Sequence, residues 1–209
     1  LNLWQRPFRD MNQFVKRGED LLLAGIALVL LSPIIGLAAL AVRLSSPGPI
    51  LFVQPRVGFN NEVINVLKFR TMFADQADIG ARTTTTKDDP RVTPVGRVFR
   101  KFSIDELPQL LNVISGDMSP VCPRPHALEM TVGDDYYQDA VRGYAGRHRV
   151  RPGITGLAQV KGLRGEIRTV ERAKRRVDLD TEYIDRWSLT LDLWILLLTV
   201  RAVLFDRDA

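Results

Sequence analysis

Two adjacent carboxylates, Asp105 and Glu106, are the residues of this sequence whose types and spacing best suit catalysis. They follow a basic stretch at 97–101 and lie just before Pro108, which is tolerated only in the first turn of a helix. Asp105 is therefore expected at or next to a helix N-terminus. A helix start and nearby cations favour the charged form of a carboxyl group, which is the form that a nucleophile or a metal ligand requires.

The same pair also fits a purely structural role. Ser103 and Glu106 have the spacing of a capping box, and carboxylates in the first turn stabilise a helix by up to ~1 kcal/mol. The chemical interpretation is favoured by the cations around the pair, which are Arg91, Arg97, Arg100, Lys101 and Arg124. Prolines on both sides of Arg124 stiffen its backbone, so its guanidinium suits a phosphate group. The alternative for these cations is a basic face that rests on anionic lipid headgroups.

An apolar run at 21–42 carries no charge and is the element expected to anchor this site at a membrane. Its length suits bilayer hydrocarbon, which takes about 20 helical residues to cross. Ser32 and Pro33 lie near its middle, so two half-helices bent at Pro33 are predicted, with the Ser32 hydroxyl covering a freed carbonyl. Cations flank the run at 16–17 and at 43 and give no orientation by the positive-inside rule. A re-entrant hairpin explains this symmetry, and a straight single-pass anchor is the alternative.

These features predict an interfacial amphipathic segment at 1–20, a re-entrant membrane helix at 21–43 and a catalytic domain at 44–209. The net charge of +5 suits nucleic acid, anionic lipid or phosphorylated substrates, and the membrane run favours the last two. Cys122 is the only cysteine, which excludes an internal disulfide and fits a reducing compartment. The catalytic domain is therefore expected on the cytoplasmic side. With only 2 histidines in the chain, a structural zinc site is not expected.

Hydrophobic spacing and turn residues predict an α/β fold that is rich in helix, with a small antiparallel sheet. The predicted elements are a hairpin over 50–69 that turns at 58–61, a long loop at 74–94, a helix from 107 that stops at 115–117, a helix at 127–145, a strand at 157–160, and helices at 166–186 and 187–205. The last helix is expected to lie on or partly in the membrane, because Asp192 and Arg201 would be costly in hydrocarbon. The sequence shows no nucleic-acid-binding motif.

Four motifs in a fixed order resemble those of the monotopic phosphoglycosyl transferases, the bacterial sugar transferases that start glycan assembly on polyprenol phosphate. They lie at 68–72 (KFRTM), 89–125, 151–160 (RPGITGLAQV) and 180–196, and the resemblance covers residues 14–205. The stretches at 123–127 (PRPHA), 143–153 and 164–166 (RGE) look most like the branch that transfers hexose 1-phosphate, often glucose 1-phosphate, in the initiating step of exopolysaccharide or capsule synthesis.

The resemblance implies a two-step reaction. Asp105 would attack the β-phosphorus of a UDP-sugar bound with Mg²⁺, release UMP, and carry the phosphosugar until undecaprenyl phosphate takes it. Glu106 matches the second member of the family's catalytic pair, and both carboxylates would bind the metal. The polar positions that the family places at its active site, as substrate- or phosphate-binding residues, are matched here by Lys68, Arg100, Arg124 and Asp180.

The resemblance also implies a membrane bend at Ser32 and Pro33, and a location in the bacterial inner membrane with the catalytic domain facing the cytoplasm. The partners would be a UDP-sugar, undecaprenyl phosphate and membrane lipids, without nucleic acid, and the apolar C-terminal helix suits a homodimer. Cys122 departs from a glycine that the family usually has. Larger members carry additional N-terminal membrane helices, and a sequence that begins with Leu1 is compatible with being part of such a protein.

Two alternatives stay open from the sequence. In the first, the transferred sugar is galactose or an N-acetylhexosamine in place of glucose. In the second, the protein is a membrane-anchored scaffold that binds lipids or partners without catalysis. In the second case, Asp105 and Glu106 serve only as a helix cap.

Overall fold

A computed structural model describes residues 10–76, 89–128, 130–132, 135–165 and 169–205. The longer helices are α1 (Asp10–Ser45), α2 (Pro94–Phe102), α3 (Gln109–Ser115), α6 (Val170–Arg186) and α7 (Leu189–Phe205), and the short ones are α4 (Tyr137–Ala140) and α5 (Leu157–Val160). The strands are β1 (Leu51–Val57), β2 (Val63–Phe69), β3 (Ser119–Val121), β4 (His126–Ala127), β5 (Thr131–Val132), β6 (Asp135–Tyr136) and β7 (Gly153–Thr155). A helix-rich fold with a small antiparallel sheet is therefore confirmed.

The hairpin predicted over 50–69 is present as β1 paired antiparallel with β2. Its turn lies where predicted, and Asn60 and Asn61 adopt left-handed conformations with φ of 51° and 62°, which asparagine tolerates better than most residues. β4 pairs with the other edge of β1, so the strand order is β2-β1-β4. Separately, β3 pairs with β7 in parallel and β5 pairs with β6 antiparallel.

One face of α1 packs against the rest of the protein along nearly its whole length. Buried side chains recur on this face at helical spacing, at Lys16, Asp20, Ala24, Ala38 and Val42. The first half of the helix shares a core cluster with Val66 and Val113, and the second half shares one with Phe69 and Phe99. Both halves of α1 therefore contact the same folded unit.

The opposite face of α1 is apolar and exposed. Its exposed side chains include Leu22, Val29, Leu30, Leu37, Leu40 and Leu44. Among the described residues, α1 is the one helix long and apolar enough to cross a membrane, with a mean hydropathy of 2.6 within Asn12–Ser45 and 11% of its most apolar stretch buried. An exposed apolar surface of this extent is typical of contact with a membrane or a partner rather than with water. These properties are those of a membrane-associated helix.

Pro33 lies inside α1, which is one helix in this structure rather than two separate half-helices. Proline has no backbone N–H, so Pro33 leaves the carbonyl group of Val29, four residues earlier, without its helical donor. Ser32 Oγ donates to that carbonyl oxygen at 2.9 Å, as predicted from the sequence. The hydroxyl group satisfies the freed acceptor, which explains how the helix continues past the proline.

The two predicted C-terminal helices are confirmed as α6 and α7, which pack together through a core that includes Tyr183, Ile184 and Ile195. In the sequence, the charge of Asp192 was a reason not to expect α7 to cross the membrane. In the structure, its carboxylate is fully buried inside the protein. It accepts hydrogen bonds from Lys16 Nζ at 2.6 Å and from Tyr183 OH at 2.8 Å. This charge therefore ties α7 to the beginning of α1 and does not face lipid.

Residues 157–160, predicted as a strand, form helix α5 instead. Gln159 N and Val160 N donate to the carbonyl oxygen of Gly156, which closes a helical turn. The strand position beside β3 is taken by the preceding residues, 153–155. A four-residue apolar pattern is too short to distinguish a strand from a buried helical turn.

The stretch 127–145, predicted as one helix, contains β5, β6 and α4. Its helical composition is overridden because Tyr137 and Tyr144 pack with His126 in a buried aromatic cluster, and the chain turns at Gly143 with φ of 88°. The predicted loop at 74–94 falls partly outside the described residues, as does the beginning of the helix predicted from 166.

Candidate active site

Helix α2 leads the chain to the carboxylate pair and is seated on the segment that follows β2. Thr93 caps the helix, because Gly96 N donates to Thr93 Oγ1 at 3.0 Å, and Pro94 occupies the first turn, where its missing N–H is tolerated. A Cβ added to Gly96 would lie 2.1 Å from the carbonyl oxygen of Thr71, so glycine permits this close approach. The helix ends at Ser103, which has a left-handed φ of 55°.

Asp105 and Glu106 lie in a single 3-10 turn, Ile104–Glu106, between α2 and α3. Their surroundings differ. Arg124 Nη1 donates to Glu106 Oε2 at 3.0 Å, Arg124 Nη2 donates to Glu106 Oε1, and Lys68 Nζ lies 3.7 Å from Glu106 Oε1. Asp105 is partly exposed and makes no hydrogen bond or ion pair with any residue that the structure describes. Within the described part of the chain, Asp105 is thus the less engaged carboxylate of the pair.

The capping-box alternative is wrong. The Ser103 side chain makes no capping hydrogen bond, and its hydroxyl oxygen accepts from Arg164 Nη2. The Glu106 carboxylate is held by Arg124 rather than by the backbone amide of Ser103. The polar groups that would cap the helix are therefore engaged by arginines.

The pKa values of the two carboxyl groups are driven in opposite directions. Burial raises the pKa of Asp105 to about 6, and the negative charge of Glu106 adds to this shift. Burial also acts to raise the pKa of Glu106, but Arg124 and Lys68 outweigh it and lower that pKa to about 2. The sequence predicted that nearby cations favour the charged form of Asp105, and they do, but burial and the charge of Glu106 outweigh them and raise its pKa. Neighbouring carboxyl groups whose pKa values diverge in this way are suited to different tasks.

Three of the predicted phosphate-binding residues converge on the pair from separate elements. Lys68 lies on β2, Arg100 lies in the last turn of α2, and Arg124 lies in the proline-flanked segment after β3. Arg100 is held by Thr71, because its Nε donates to Thr71 Oγ1 at 2.9 Å. Arg124 Nη1 also donates to the carbonyl oxygen of Ile154 at 3.2 Å. The positive charges of Lys68, Arg100 and Arg124 all favour the ionised form of Asp105.

Asp180, the fourth predicted binding residue, lies behind this group. Its carboxylate is 1% exposed and forms an ion pair with Arg147, with Arg147 Nη2 2.8 Å from Asp180 Oδ2. None of its contacts within the described residues reaches Asp105 or Glu106. Among the described residues, Asp180 interacts with the positive charges of Arg147 and Arg176, and Arg147 links it to the main chain of Arg124.

Sequence reasoning did not single out three further arginines, of which Arg56 and Arg164 lie near the pair and Arg147 lies behind it. Arg56 lies on β1, and burial, followed by the charge of Arg124, lowers its pKa to about 10. Arg164 holds Ser103 and helps to lower the pKa of Glu106. Arg147 and Arg164 fall within the motifs at 143–153 and 164–166, so the resemblance pointed to their segments but not to the individual side chains.

The donors at this site suit a magnesium ion. Mg²⁺ is usually held by one or two carboxylates together with substrate phosphates and water. Asp105 offers a partly exposed carboxylate, and Glu106 lies beside it. Among the described residues no group of three or more acidic, histidine or cysteine side chains comes together, so a metal bound here would take its remaining ligands from substrate and water.

Known proteins resemble the chain over nearly all of its length. The family model described as "Bacterial sugar transferase" matches residues 11–206. A Komagataeibacter xylinus protein named undecaprenyl-phosphate glucose phosphotransferase is 49% identical over 207 residues, which cover 99% of this chain and 39% of that protein.

Two further relatives carry the name UDP-glucose:undecaprenyl-phosphate glucose-1-phosphate transferase. The protein from Escherichia coli (strain K12) is 47% identical over 198 residues, which cover 95% of this chain and 42% of the relative. The protein from Caulobacter vibrioides is 50% identical over 196 residues, which cover 93% of this chain and 71% of the relative. The chain thus spans less than half the length of two of these three relatives.

Proposed function

This chain belongs to the bacterial sugar transferase family, and from that premise we propose that it is a phosphoglycosyl transferase. It transfers hexose 1-phosphate, with glucose 1-phosphate preferred, from a UDP-sugar to undecaprenyl phosphate, as the first step of exopolysaccharide or capsule synthesis. The names of the relatives supply the donor and acceptor. The observation that carries the proposal is the contrast between Asp105, which is available, and Glu106, which Arg124 and Lys68 hold.

In the first step, an ionised oxygen of Asp105 attacks the β-phosphorus of the UDP-sugar. A bond forms between that oxygen and phosphorus, the bond from phosphorus to the bridging oxygen breaks, and UMP leaves with the electron pair. In the second step, a phosphate oxygen of undecaprenyl phosphate attacks the same phosphorus, and Asp105 leaves as a carboxylate. Neither step needs a net proton transfer, so the site requires charge stabilisation more than acid or base catalysis.

The cations around the pair supply that stabilisation. Lys68, Arg100 and Arg124 outnumber the two carboxylates, and partly buried Arg56 adds to the positive charge. A diphosphate that enters this site would balance this excess of positive charge. The arginine forks suit phosphate oxygens geometrically, and their low-dielectric surroundings strengthen each contact.

Glu106 is proposed to orient Arg124 and Lys68 rather than to attack phosphorus. Each of its two oxygens accepts from the Arg124 fork and keeps a further lone pair, and its lowered pKa keeps it charged across the physiological range. We propose that Asp105 and Glu106 hold Mg²⁺, which when bound would neutralise the diphosphate and stabilise the charge that moves onto UMP.

We also propose that α1 is a re-entrant anchor, bent at Ser32 and Pro33 within the bilayer, so that both ends stay on one side. The contacts of α1 support this topology. Its first half packs with Val66 and Val113 and its second half with Phe69 and Phe99, so a straight span would carry the same domain through the hydrocarbon. The cost of burying that domain's polar backbone and charges in lipid opposes such a span.

The proposed location is the bacterial inner membrane, with residues 44–209 as the catalytic domain on the cytoplasmic face and residues 1–20 at the interface. Helices near α1 expose apolar side chains that suit contact with lipid, among them Val98, Phe102, Leu111, Ile114, Leu193 and Leu197. This surface would hold the carboxylate pair at headgroup depth, where the phosphate of the acceptor lies. The exposed face of α7 also suits a homodimer.

Release of UMP tests the proposal. Purified protein in detergent or nanodiscs, given UDP-glucose, Mg²⁺ and undecaprenyl phosphate, is expected to release UMP, and Asp105→Asn is expected to abolish the release. Asp178→Asn is the matched control, because Asp178 is an exposed carboxylate on α6. Parent-like release by Asp105→Asn would refute the nucleophile, and a parent protein that releases no UMP from any UDP-sugar would favour the scaffold alternative.

A further inference from the structure

Arg147 is a buried arginine that connects α6 to the segment that carries Arg124. Its side chain is 2% exposed, and it is paired with Asp180 of α6, which is 1% exposed. The nitrogen Nη2 that faces Asp180 also donates to the backbone carbonyl oxygen of Arg124 at 2.6 Å. Arg147 thus reaches the main chain of a residue whose side chain holds Glu106.

The second terminal nitrogen of Arg147 contacts the other side of the same segment. Arg147 Nη1 bonds to His126 Nε2. Because a guanidinium group can only donate, Nε2 must accept, so the His126 ring is neutral and carries its proton on Nδ1. The ring is held in place by Tyr137, whose centroid is 4.6 Å away. One terminal nitrogen of this side chain therefore binds the backbone of Arg124, and the other binds the imidazole ring of His126 on the other side of Pro125.

Stability alone does not explain this arrangement well. A buried ion pair such as Arg147 with Asp180 is often no more stabilising than apolar side chains of similar volume, because both charges lose their hydration. The planar fork of arginine, however, sets the distance and angle of the groups it binds. The arrangement is therefore suited to fixing geometry.

We propose that Arg147, oriented by Asp180, is a positioning residue that fixes the backbone of Arg124, so that the Arg124 fork stays on Glu106 and faces the donor phosphates. The inference rests on the proposed function for its catalytic consequence. It assigns Asp180 a role through Arg147 instead of direct contact with substrate. Displacing catalytic groups by about 1 Å can cost on the order of 100-fold in rate.

The kinetic test is a double-mutant cycle between Arg147→Lys and Arg124→Ala, measured by UMP release. Lysine keeps a charge near Asp180 but cannot hold Arg124 O and His126 together. We expect Arg147→Lys to lower kcat/KM by about tenfold or more in the parent, and by less than about threefold when Arg124 is already alanine, because residues acting through one another are not additive. Equal losses in both backgrounds would overturn the proposal.

Arg17→Lys is the matched control. Like Arg147, Arg17 binds through both terminal nitrogens, but it holds the backbone carbonyls of Val113 at 2.7 Å and Ile114 at 3.0 Å, at the far end of α3. Its substitution is expected to leave kcat/KM of the folded protein within about twofold of the parent and to add independently to Arg124→Ala. Coupling of the same size between Arg17 and Arg124 would show that the cycle reports general loosening, which would also overturn the proposal.

A measurement without substrate separates this inference from the proposed function. Amide hydrogen exchange in the peptide over 121–128 is expected to be faster in Arg147→Lys than in the parent, and unchanged in Arg17→Lys. Unchanged exchange in Arg147→Lys would refute the positioning role even if the parent is an active transferase. Faster exchange in Arg147→Lys, combined with a parent that releases no UMP, would uphold the positioning of Arg124 and refute the function.

Discussion

Arg124 Nη1 donates to Glu106 Oε2 at 3.0 Å, with its second terminal nitrogen on the other oxygen of the same carboxylate. This two-pronged pair joins the proline-flanked segment to the turn that carries Asp105. It neutralises Glu106 without a hydrogen bond to Asp105, and together with Lys68 it explains why the pKa of Glu106 is lowered while that of Asp105 is raised. The site is therefore built around an asymmetric pair.

Arg124→Lys is expected to lower kcat/KM for UMP release by about 10- to 100-fold, although the positive charge is kept. A lysine ammonium is a point charge and cannot contact both oxygens of Glu106 while also facing a phosphate group. Arg175→Lys, at an exposed position of α6, is the control and should stay within about twofold of the parent. Comparable losses in both variants would show that the fork geometry at Arg124 has no special role.

The re-entrant topology predicts that both ends of α1 lie on one side of the membrane. Single cysteines at Gln13 and Glu62, both exposed, are expected to react with a membrane-impermeant maleimide from the same, cytoplasmic, face of oriented vesicles. Cys122 should not interfere, because it is buried and burial raises the pKa of its thiol to about 12. Labelling of the two sites from opposite faces would establish a single-pass anchor instead.

Acid is expected to destabilise the fold through His148. Burial, followed by the positive charge of Arg147, lowers the pKa of His148 from 6.5 to about 4. The neutral form is favoured in the folded state, so its full contribution is present above pH 6.5 and is lost as the pH falls toward 4. The loss is at most about 3 kcal/mol. Urea unfolding in detergent between pH 7 and 4 should show a smaller fall for His148→Gln, and an identical fall would exclude this residue as the cause.

Removing divalent cations is expected to stop UMP release without unfolding the protein. Asp105 and Glu106 would share the ion with substrate phosphates, so the metal contributes to the reaction more than to the fold. Excess EDTA should abolish release, added Mg²⁺ should restore it, and the thermal unfolding midpoint of the substrate-free protein should stay the same. Undiminished release in EDTA would contradict the proposed metal.

The identity of the sugar can be tested by comparing donors. UDP-glucose is expected to give a higher kcat/KM for UMP release than UDP-galactose or UDP-N-acetylglucosamine, because a site that binds a hydroxyl group leaves polar groups unpaired when that group is moved or replaced. The panel needs equal protein and acceptor concentrations. Preference for another sugar would correct the donor and leave the mechanism unchanged.

Local patterns in the sequence were sufficient for much of the fold. The β1–β2 hairpin followed from turn residues, and the Ser32 hydroxyl bond to Val29 O followed from the geometry of proline in a helix. Residues 127–145 and 157–160 were predicted wrongly, because short elements take their structure from partners distant in sequence. His126, Tyr137 and Tyr144, for example, form one aromatic cluster.

The candidate site shows the same contrast between features that local sequence predicts and contacts between distant residues. Asp105 and Glu106 stood out because they are adjacent acids among cations, and the motifs indicated Lys68, Arg100 and Arg124. The link from Asp180 through Arg147 to Arg124 O was not predictable, because it joins residues that no local spacing relates. The hydrogen bond between Arg164 and Ser103, which excludes the capping box, is equally nonlocal.

Mass spectrometry of the peptide that contains Asp105 tests the central claim most directly. Protein incubated with UDP-glucose and Mg²⁺, without acceptor, is expected to carry a hexose phosphate on Asp105, and the adduct should disappear when undecaprenyl phosphate is added. Asp105→Asn should carry none. An unmodified Asp105 peptide at every time point, in a preparation that forms the lipid-linked product once acceptor is supplied, would contradict the covalent mechanism.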